Sequence, residues 1–321
     1  MDIRSKIFVA GHSGLVGSAI CRELRAQGYG NLVLRRHAEL DLCDQAAVAH
    51  FFATERPDYV FLAAARVGGI ARNAAEPADF IRENLQISVN CIDSAYRHGV
   101  AKFLNLGSAC IYPKVVPQPI REDTLLTAPL EPTNDAYAIA KIAAVMMCQK
   151  YTHQYGWPTL NVMPTNLYGP GDNFHPFQSH VIPGLIQKFH AAKMSGAESV
   201  TCWGDGSPTR DFMHVDDMAH ACVWLMQHHN DPEIINVATG HDVSIAELAR
   251  RIAEVVGFEG HILWDTSKPN GTPLRQLDVS RLNSLGWTAR IALTEGLRST
   301  YRWFLDHAAA PVVKEQTGTH A

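Results

Sequence analysis

A hydroxyl and a thiol stand two residues apart in Gly107-Ser108-Ala109-Cys110, directly after the apolar run Phe103-Leu104-Asn105-Leu106, where a buried strand is expected to end. Downstream, Tyr137 and Lys141 are four residues apart, which places both on one face of a helix. An ammonium beside a phenol favours phenolate, so Lys141 is expected to draw Tyr137 down from its reference pKa of about 10 toward working pH. A phenol tuned in that way relays protons, commonly worth about 10² to 10⁴ in rate. Together these residues point to chemistry on a carbonyl group. Tyr-x-x-x-Lys alone is a weak signal, because such pairs also arise on solvated helix faces.

A second motif says what accompanies that carbonyl. Gly11-His12-Ser13-Gly14-Leu15-Val16-Gly17 lies between the apolar run Ile7 to Ala10 and a helical stretch from Leu15 to Gln27. At a first strand-to-helix turn, missing side chains let a pyrophosphate approach the backbone, and the helix N-terminus attracts its charge. About 20 residues further on, where an acidic residue would hold a ribose 2′-hydroxyl, the chain has Leu34-Arg35-Arg36-His37 instead. A planar guanidinium such as that of Arg36 suits a 2′-phosphate, so NADPH/NADP+ is favoured over NAD. Asp41 and Leu42 lie where an adenine edge is met, with a plain turn as the alternative for Asp41.

The elements that must position these groups alternate regularly. Strands are expected at Ile7 to Ala10, Asn31 to Leu34, Tyr59 to Ala64, Lys102 to Leu106 and Thr159 to Met163. Helices are expected between them, with Gly28 as a C-terminal cap, Asp44 as an N-cap, Pro77 opening a helix to about His98, and a helix from about Asp135 to Tyr155. Strands apolar throughout imply a parallel sheet covered on both faces, an α/β Rossmann-type doubly wound fold. Beyond Met163, prolines crowd the chain and a smaller mixed α/β lobe begins. It holds a helix from His180 to Lys193, a strand from Val200 to Trp203, an extended Asp211 to Val215, and Ser244/Glu247 as a capping box ahead of a helix to Val256. The expected division is 1–165 with about 212–240 as the cofactor domain, and about 166–211 with 241–308 as the substrate domain. The last helix runs from about Leu293 to Ala308, and 309–321 is a flexible tail, most polar from Lys314.

Composition narrows the class. With 321 residues, 46% hydrophobic, 19% charged and a net charge of -4, the chain has no basic surface for nucleic acid. No stretch approaches the roughly 18 apolar residues of a membrane span, and the N-terminal run lacks the form of a signal peptide. Seven cysteines without a CxxC motif suggest neither a metal site nor a redox pair, and fit a reducing cytoplasm.

Two further groups extend the chemistry. Cys110 is close enough in sequence to Ser108 to reach the same substrate, and His180 heads a helix. Thiol and imidazole both exchange protons near neutral pH, although a buried small hydrophobe and a helix cap are the plainer readings. The glycine motif with Ser108, Tyr137 and Lys141 resembles the extended branch of the short-chain dehydrogenase/reductase superfamily, where the matching residues bind and protonate the reacting oxygen and the lysine also holds the nicotinamide ribose. The phrases Ser108-Ala-Cys-Ile-Tyr-Pro113, Glu131 to Lys141, Met163 to Pro170, Asp172 to Pro176, Ser179 to Pro183 and Phe212 to Asp217 are similar to those of the GDP-L-fucose synthase family, over about residues 5 to 308.

That resemblance implies a substrate, GDP-4-keto-6-deoxy-D-mannose, with epimerisation at C3 and C5 followed by NADPH-dependent reduction at C4. It implies Cys110 as base and His180 as acid, and cofactor contacts at Leu106, Gly107, Lys141, Pro164, Asn166, Leu167 and His180. Substrate contacts are implied at Lys188, Trp203, Arg210 and Asn270; Lys188 stands where the bacterial pattern has Arg, Asn270 where it has Asp, and Ser13 where it has an Arg that helps hold the 2′-phosphate. The second lobe also offers Lys268 and Arg275 for a diphosphate. Rivals are an epimerase-reductase for another GDP-ketosugar, such as the 3,6-dideoxy analogue of GDP-L-colitose type, and a non-catalytic NADP-binding regulatory protein. A 4,6-dehydratase would need a Thr-Asp-Glu-like set where Ser108-Ala109-Cys110 stands. The apolar helices Pro77 to His98 and Asp135 to Tyr155, the second nearly encircled by Ile142, Val145, Met146 and Met147, suggest a homodimer.

Overall fold

The computed structural model describes residues 1–175, 179–268, 270 and 272–307. The expected tail at 309–321, with the helix end at Ala308, lies outside the described residues. In chain order the first elements are β1 Ile7–Ala10, α1 Leu15–Ala26, β2 Leu32–Val33, α2 Gln45–Glu55, β3 Tyr59–Leu62, α3 Ile70–Ala75, α4 Pro77–Arg97, β4 Lys102–Leu106, α5 Asp135–Tyr155, β5 Thr159–Pro164, β6 Asn166–Tyr168 and α6 Val181–Ser195. There follow β7 Ser199–Trp203, β8 Thr209–His214, α7 Val215–His228, β9 Ile234–Val237, β10 Asp242–Ser244, α8 Ile245–Val256, β11 His261–Asp265, β12 Leu274–Arg275, α9 Ser280–Ser284 and α10 Leu293–His307. Short 3₁₀ turns cover Ala109–Ile111 and Glu122–Thr124.

A six-stranded parallel sheet runs β2-β1-β3-β4-β5-β9. Successive side chains of a strand point to opposite faces, and β1 divides accordingly. Ile7 and Val9 join α1 and α7 on one side; Phe8 and Ala10 join α2, α4 and α5 on the other. Both faces are therefore dry, which is why these strands read as unbroken apolar runs. The chain passes from β2 across to β3 on the far side of β1, so a crevice opens beyond the carboxyl ends of β1 and β3, where such sheets take their ligands.

Local signals act largely as their chemistry dictates. Asp44 Oδ1 accepts the Ala47 N–H at 3.0 Å, and Gly28 takes a positive φ just past α1. The capping box before α8 is half realised: Ser244 Oγ accepts the Glu247 N–H at 3.1 Å, while the Glu247 carboxylate turns to Arg251 Nε at 2.7 Å, a charged donor one turn on. The extended Asp211 to Val215 becomes β8, and it joins a small sheet with β6, β10 and β12.

Two clusters finish the architecture. Phe189, Leu248, Ile252 and Phe304 fill a second core among α6, α8 and α10. Ile111, Tyr112, Ile120, Met163 and Leu277 form a seam where the two lobes meet. Asp211, fully buried on β8, knots that region. Its carboxylate accepts from Thr239 N–H (3.0 Å), Gly240 N–H (2.8 Å) and the Thr239 hydroxyl (2.6 Å), and its carbonyl accepts from Thr165 and Asn166. Burial pushes this carboxyl up to about 6. Asp211→Asn turns an amide N–H₂ toward groups that are themselves donors, and is expected to cost about 1–3 kcal/mol, read as a lower urea midpoint with unchanged slope.

Candidate active site

The end of β4 builds the centre. Leu106 closes the strand, Gly107 donates its N–H to the Val162 carbonyl at 2.8 Å, and a Cβ at Gly107 would lie 2.2 Å from Met163 Cε, so a larger residue there displaces the methionine side chain. Ser108 then caps the 3₁₀ turn, its Oγ accepting the Cys110 N–H at 3.2 Å. Ser108 and Cys110 are thus held on one rigid turn whose next two residues, Ile111 and Tyr112, are fully buried. The Tyr112 hydroxyl donates to Asn236 Oδ1 at 2.6 Å and anchors the turn from below.

Helix α5 brings Tyr137 and Lys141 to this turn. The Lys141 ammonium is buried, donates to the Leu106 carbonyl at 2.8 Å, and lies 5.9 Å from the Tyr137 ring centroid. Burial lowers its pKa to about 8. Tyr137 packs edge-on against Phe80 with centroids 6.5 Å apart. Here the structure corrects an expectation. Tyr137 is pushed up, first by burial and then by the charge of a Cys110 thiolate, with the Ser108 hydroxyl pulling the other way. Lys141 does not offset this, because burial lowers its own pKa to about 8 and its charge is lost before the phenol would ionise; the phenol stays protonated and is a donor.

His180 is exposed at the N-cap of α6. It lies in the field of Asp172, a residue that residue order alone does not single out. Asp172 is buried; its Oδ1 accepts the Asn173 N–H at 2.7 Å, and its Oδ2 has no partner among the described residues. Burial raises this carboxyl to about 6, against the lowering effects of that hydrogen bond and of His180. The one sequence signal that marks it is its place after Gly171 in a phrase that also contains a histidine.

The glycine turn has the form a dinucleotide needs. Gly11 has φ +81°, and a Cβ at Gly17 would lie 2.1 Å from the Gly11 carbonyl oxygen. Gly14 caps α1 without a side-chain bond, which leaves the helix N–H groups open, while Leu15 and Val16 pack on the core behind them. His12 Nδ1 is buried without a partner among the described residues, and Ser13 is exposed. The two arginines after β2 part company. Arg35 bonds Glu55 Oε1 at 2.5 Å and the Leu34 carbonyl, whereas the Arg36 guanidinium has no ion-pair partner among the described residues. Asp41 serves as a turn residue, Oδ1 accepting the Cys43 N–H at 2.9 Å, and Leu42 packs on the core. Pro164 ends β5, Asn166 donates to the Asp211 carbonyl, and Leu167 packs beneath the sheet. Among the described residues no three His, Cys, Asp or Glu side chains gather closely enough to hold a metal ion.

The implied substrate contacts are scattered over the second lobe. Trp203 is 71% exposed at the end of β7. Lys188 donates to the Thr201 carbonyl, and Asn270 Oδ1 accepts the Asp205 N–H at 3.1 Å, so both also brace backbone. Arg210 is half-buried and donates to the Thr209 carbonyl. Arg275 reaches the Cys110 turn from β12, a contact that spacing could not reveal.

With that geometry in hand, the chain can be set beside known proteins. Residues 7–238 match the NAD dependent epimerase/dehydratase family. GDP-L-fucose synthase 1 of Arabidopsis thaliana is 59% identical over 304 residues, covering 95% of this chain and 94% of the relative. GDP-L-fucose synthase of Escherichia coli K12 is 52% identical over 313 residues, covering 95% and 98%. The crystal structure of a GDP-L-fucose synthetase from Naegleria fowleri bound to NADP superposes with a TM-score of 0.88 at 29% identity, covering 95% of each chain.

The split between the two arginines is directly testable. Arg36→Ala is expected to lower the preference for NADP over NAD at least about tenfold, by removing a charged donor from the 2′-phosphate. Arg35→Ala should leave that ratio within about threefold. Cofactor titration by protein fluorescence checks both.

Proposed function

We propose, since the chain belongs to the NAD dependent epimerase/dehydratase family and within it to the GDP-L-fucose synthases, a division of three steps among five side chains of one cleft. The enzyme converts GDP-4-keto-6-deoxy-D-mannose to GDP-L-fucose by epimerisation at C3 and C5 and NADP-dependent reduction at C4. The observation that carries the division is the placement of Cys110 on the same turn as Ser108, with the Tyr137 phenol feeling its charge. A simple ketone reductase needs no such thiol.

Hydrogens at C3 and C5 both flank the C4 ketone and leave as protons when the enolate oxygen is stabilised. Cys110, as thiolate, takes the proton from carbon. The bonding pair moves onto the C4 oxygen, and the hydroxyls of Ser108 and Tyr137 donate to that oxygen. His180 returns a proton to the opposite face, which inverts the centre. Once Cys110 has passed its proton to solvent and His180 has taken one up, the same exchange at the second carbon completes the epimerisation. NADPH, when bound, supplies the hydride for C4. Tyr137 then gives its proton to the C4 oxygen, a task suited to a phenol that burial keeps protonated. Lys141, fixed on the Leu106 carbonyl, keeps α5 in place and is the group that meets the nicotinamide ribose.

Gly11 to Gly17 hold the cofactor pyrophosphate and Arg36 its 2′-phosphate, with Leu106, Gly107, Pro164, Asn166 and Leu167 lining the nicotinamide end. Trp203 stacks on the guanine, Arg210 meets the diphosphate, and Lys188 and Asn270 shape the same lobe. In this reading 1–165 with about 212–240 serve the cofactor, and about 166–211 with 241–308 serve the sugar nucleotide. All seven cysteines are free and no described helix is long and apolar enough to cross a membrane, which supports a cytoplasmic enzyme.

A homodimer through α4 and α5 belongs to the same proposal, on different residues from those the sequence suggests. Ile142 and Val145 are buried in the seam cluster, and Met146 and Met147 pack against cores, whereas Val89 and Ile139 remain 46% exposed each. Light scattering at micromolar concentration is expected to give a dimer, and a monomer there removes this part of the reading.

The chemistry is tested in D₂O with GDP-4-keto-6-deoxy-D-mannose. Wild-type protein without NADPH is expected to place solvent deuterium at C3 and C5, seen by mass spectrometry and NMR. Cys110→Ser should lose exchange and product together, by at least about 10²-fold, while Tyr137→Phe abolishes reduction and slows exchange less than Cys110→Ser does, because Ser108 still donates to the enolate oxygen. Equal loss of exchange in the two variants contradicts the assignment.

A further inference from the structure

We infer that Arg275 is a positioning residue: from the second lobe it holds the turn that carries Cys110, and so couples occupation of the diphosphate seat to placement of the base. This rests on the roles of Cys110 and Arg210 proposed above.

The geometry is specific. Arg275 Nη2 donates to the carbonyls of Ala109 at 2.8 Å and Tyr112 at 3.3 Å, the residues that bracket Cys110-Ile111. The Ala109 carbonyl already accepts the Tyr112 N–H at 3.3 Å within the turn and takes the guanidinium on its second lone pair, and carbonyls at the end of a helical turn favour a cation there. The donor itself is immobilised. Just beyond it, Gln276 N–H donates to Gln118 Oε1 at 2.9 Å, the Gln276 carbonyl accepts the Ile120 N–H at 2.7 Å, and the Ile120 carbonyl accepts the Asp278 N–H at 2.8 Å. Leu277 is buried in the same cluster as Ile111 and Tyr112.

Arg275 also has a charged neighbour. β12 pairs in parallel with β8, and Arg275 is level with Arg210. Residues level in adjacent strands project to one face, so the two guanidiniums lie side by side. Burial and then the charge of Arg275 hold Arg210 below the usual arginine range, and Asp242 is the carboxylate that opposes this. Arg275 has no ion pair among the described residues. An anion seated on Arg210 offsets the repulsion between the pair and strengthens the hold that Arg275 already has on Ala109 and Tyr112. Because a displacement of about 1 Å can cost a reaction about 10²-fold, a small movement of this turn matters to proton abstraction.

Two measurements on the full-length protein separate this from a second phosphate ligand. Arg275→Met keeps the length of the side-chain stem. At saturating substrate in D₂O it is expected to slow exchange about tenfold to hundredfold, with GDP affinity by calorimetry within about threefold of wild type, since the guanidinium holds the turn and does not touch the nucleotide. Arg210→Met should instead weaken GDP more than it slows exchange, and Arg275→Lys should recover part of the turnover. The second measurement does not depend on turnover: alkylation of Cys110 by iodoacetamide, followed by peptide mass spectrometry, should change about fivefold on adding GDP to wild type and remain nearly constant in Arg275→Met. Unchanged exchange, a fall in GDP affinity matching that of Arg210→Met, or an equal alkylation response in both proteins overturns the inference. If Arg275→Met does not fold, the same comparisons on Arg275→Lys decide. Absence of exchange in wild type would fail the role given to Cys110, and the alkylation result would still judge Arg275.

Discussion

A buried ammonium cannot be left without an acceptor, and the one available to Lys141 is the carbonyl that ends β4. That single bond ties the middle of α5 to the edge of the sheet. Tyr137, one turn earlier on the same face, is thereby set against the Ser108-Cys110 turn, which begins two residues after Leu106. The cofactor crevice opens beside this point because the chain reverses its direction of winding across β1 and β3. Every reacting group of the first lobe is therefore placed by one strand end and one helix.

The same constraint shapes the electrostatics. Lys141, its pKa lowered by burial, donates to a carbonyl, and Tyr137, packed against Phe80, is left as a neutral phenol. A neutral phenol is a proton donor, which suits an enzyme that reduces a ketone to an alcohol. Cys110 stands on the turn that Ser108 caps, beside that phenol.

The second lobe contributes through a seam. Asp211, Tyr112, Asn236, Leu277 and Arg275 join strands of the small sheet to the catalytic turn through buried hydrogen bonds and packing. The small sheet and the Ser108-Cys110 turn thus share one buried framework. His180 stands at the head of α6, and its charge reaches the buried Asp172.

Local regularities make much of this visible from residue order. Apolar runs mark β1, β3, β4 and β5 because both sheet faces are dry; glycine spacing marks the cofactor turn; i, i+4 spacing pairs Tyr137 with Lys141; Asp44 and Ser244 cap the helices they precede. Such signals survive in one dimension because they depend on neighbours a few residues apart. What only the tertiary structure decides are contacts between distant residues: Arg275 on the Ala109 carbonyl, Tyr112 on Asn236, Arg35 on Glu55 while Arg36 forms no such pair among the described residues, and the direction in which Tyr137 titrates. Those depend on which side chains burial brings together and which acceptors remain once the backbone is paired, and neither quantity is periodic along the chain.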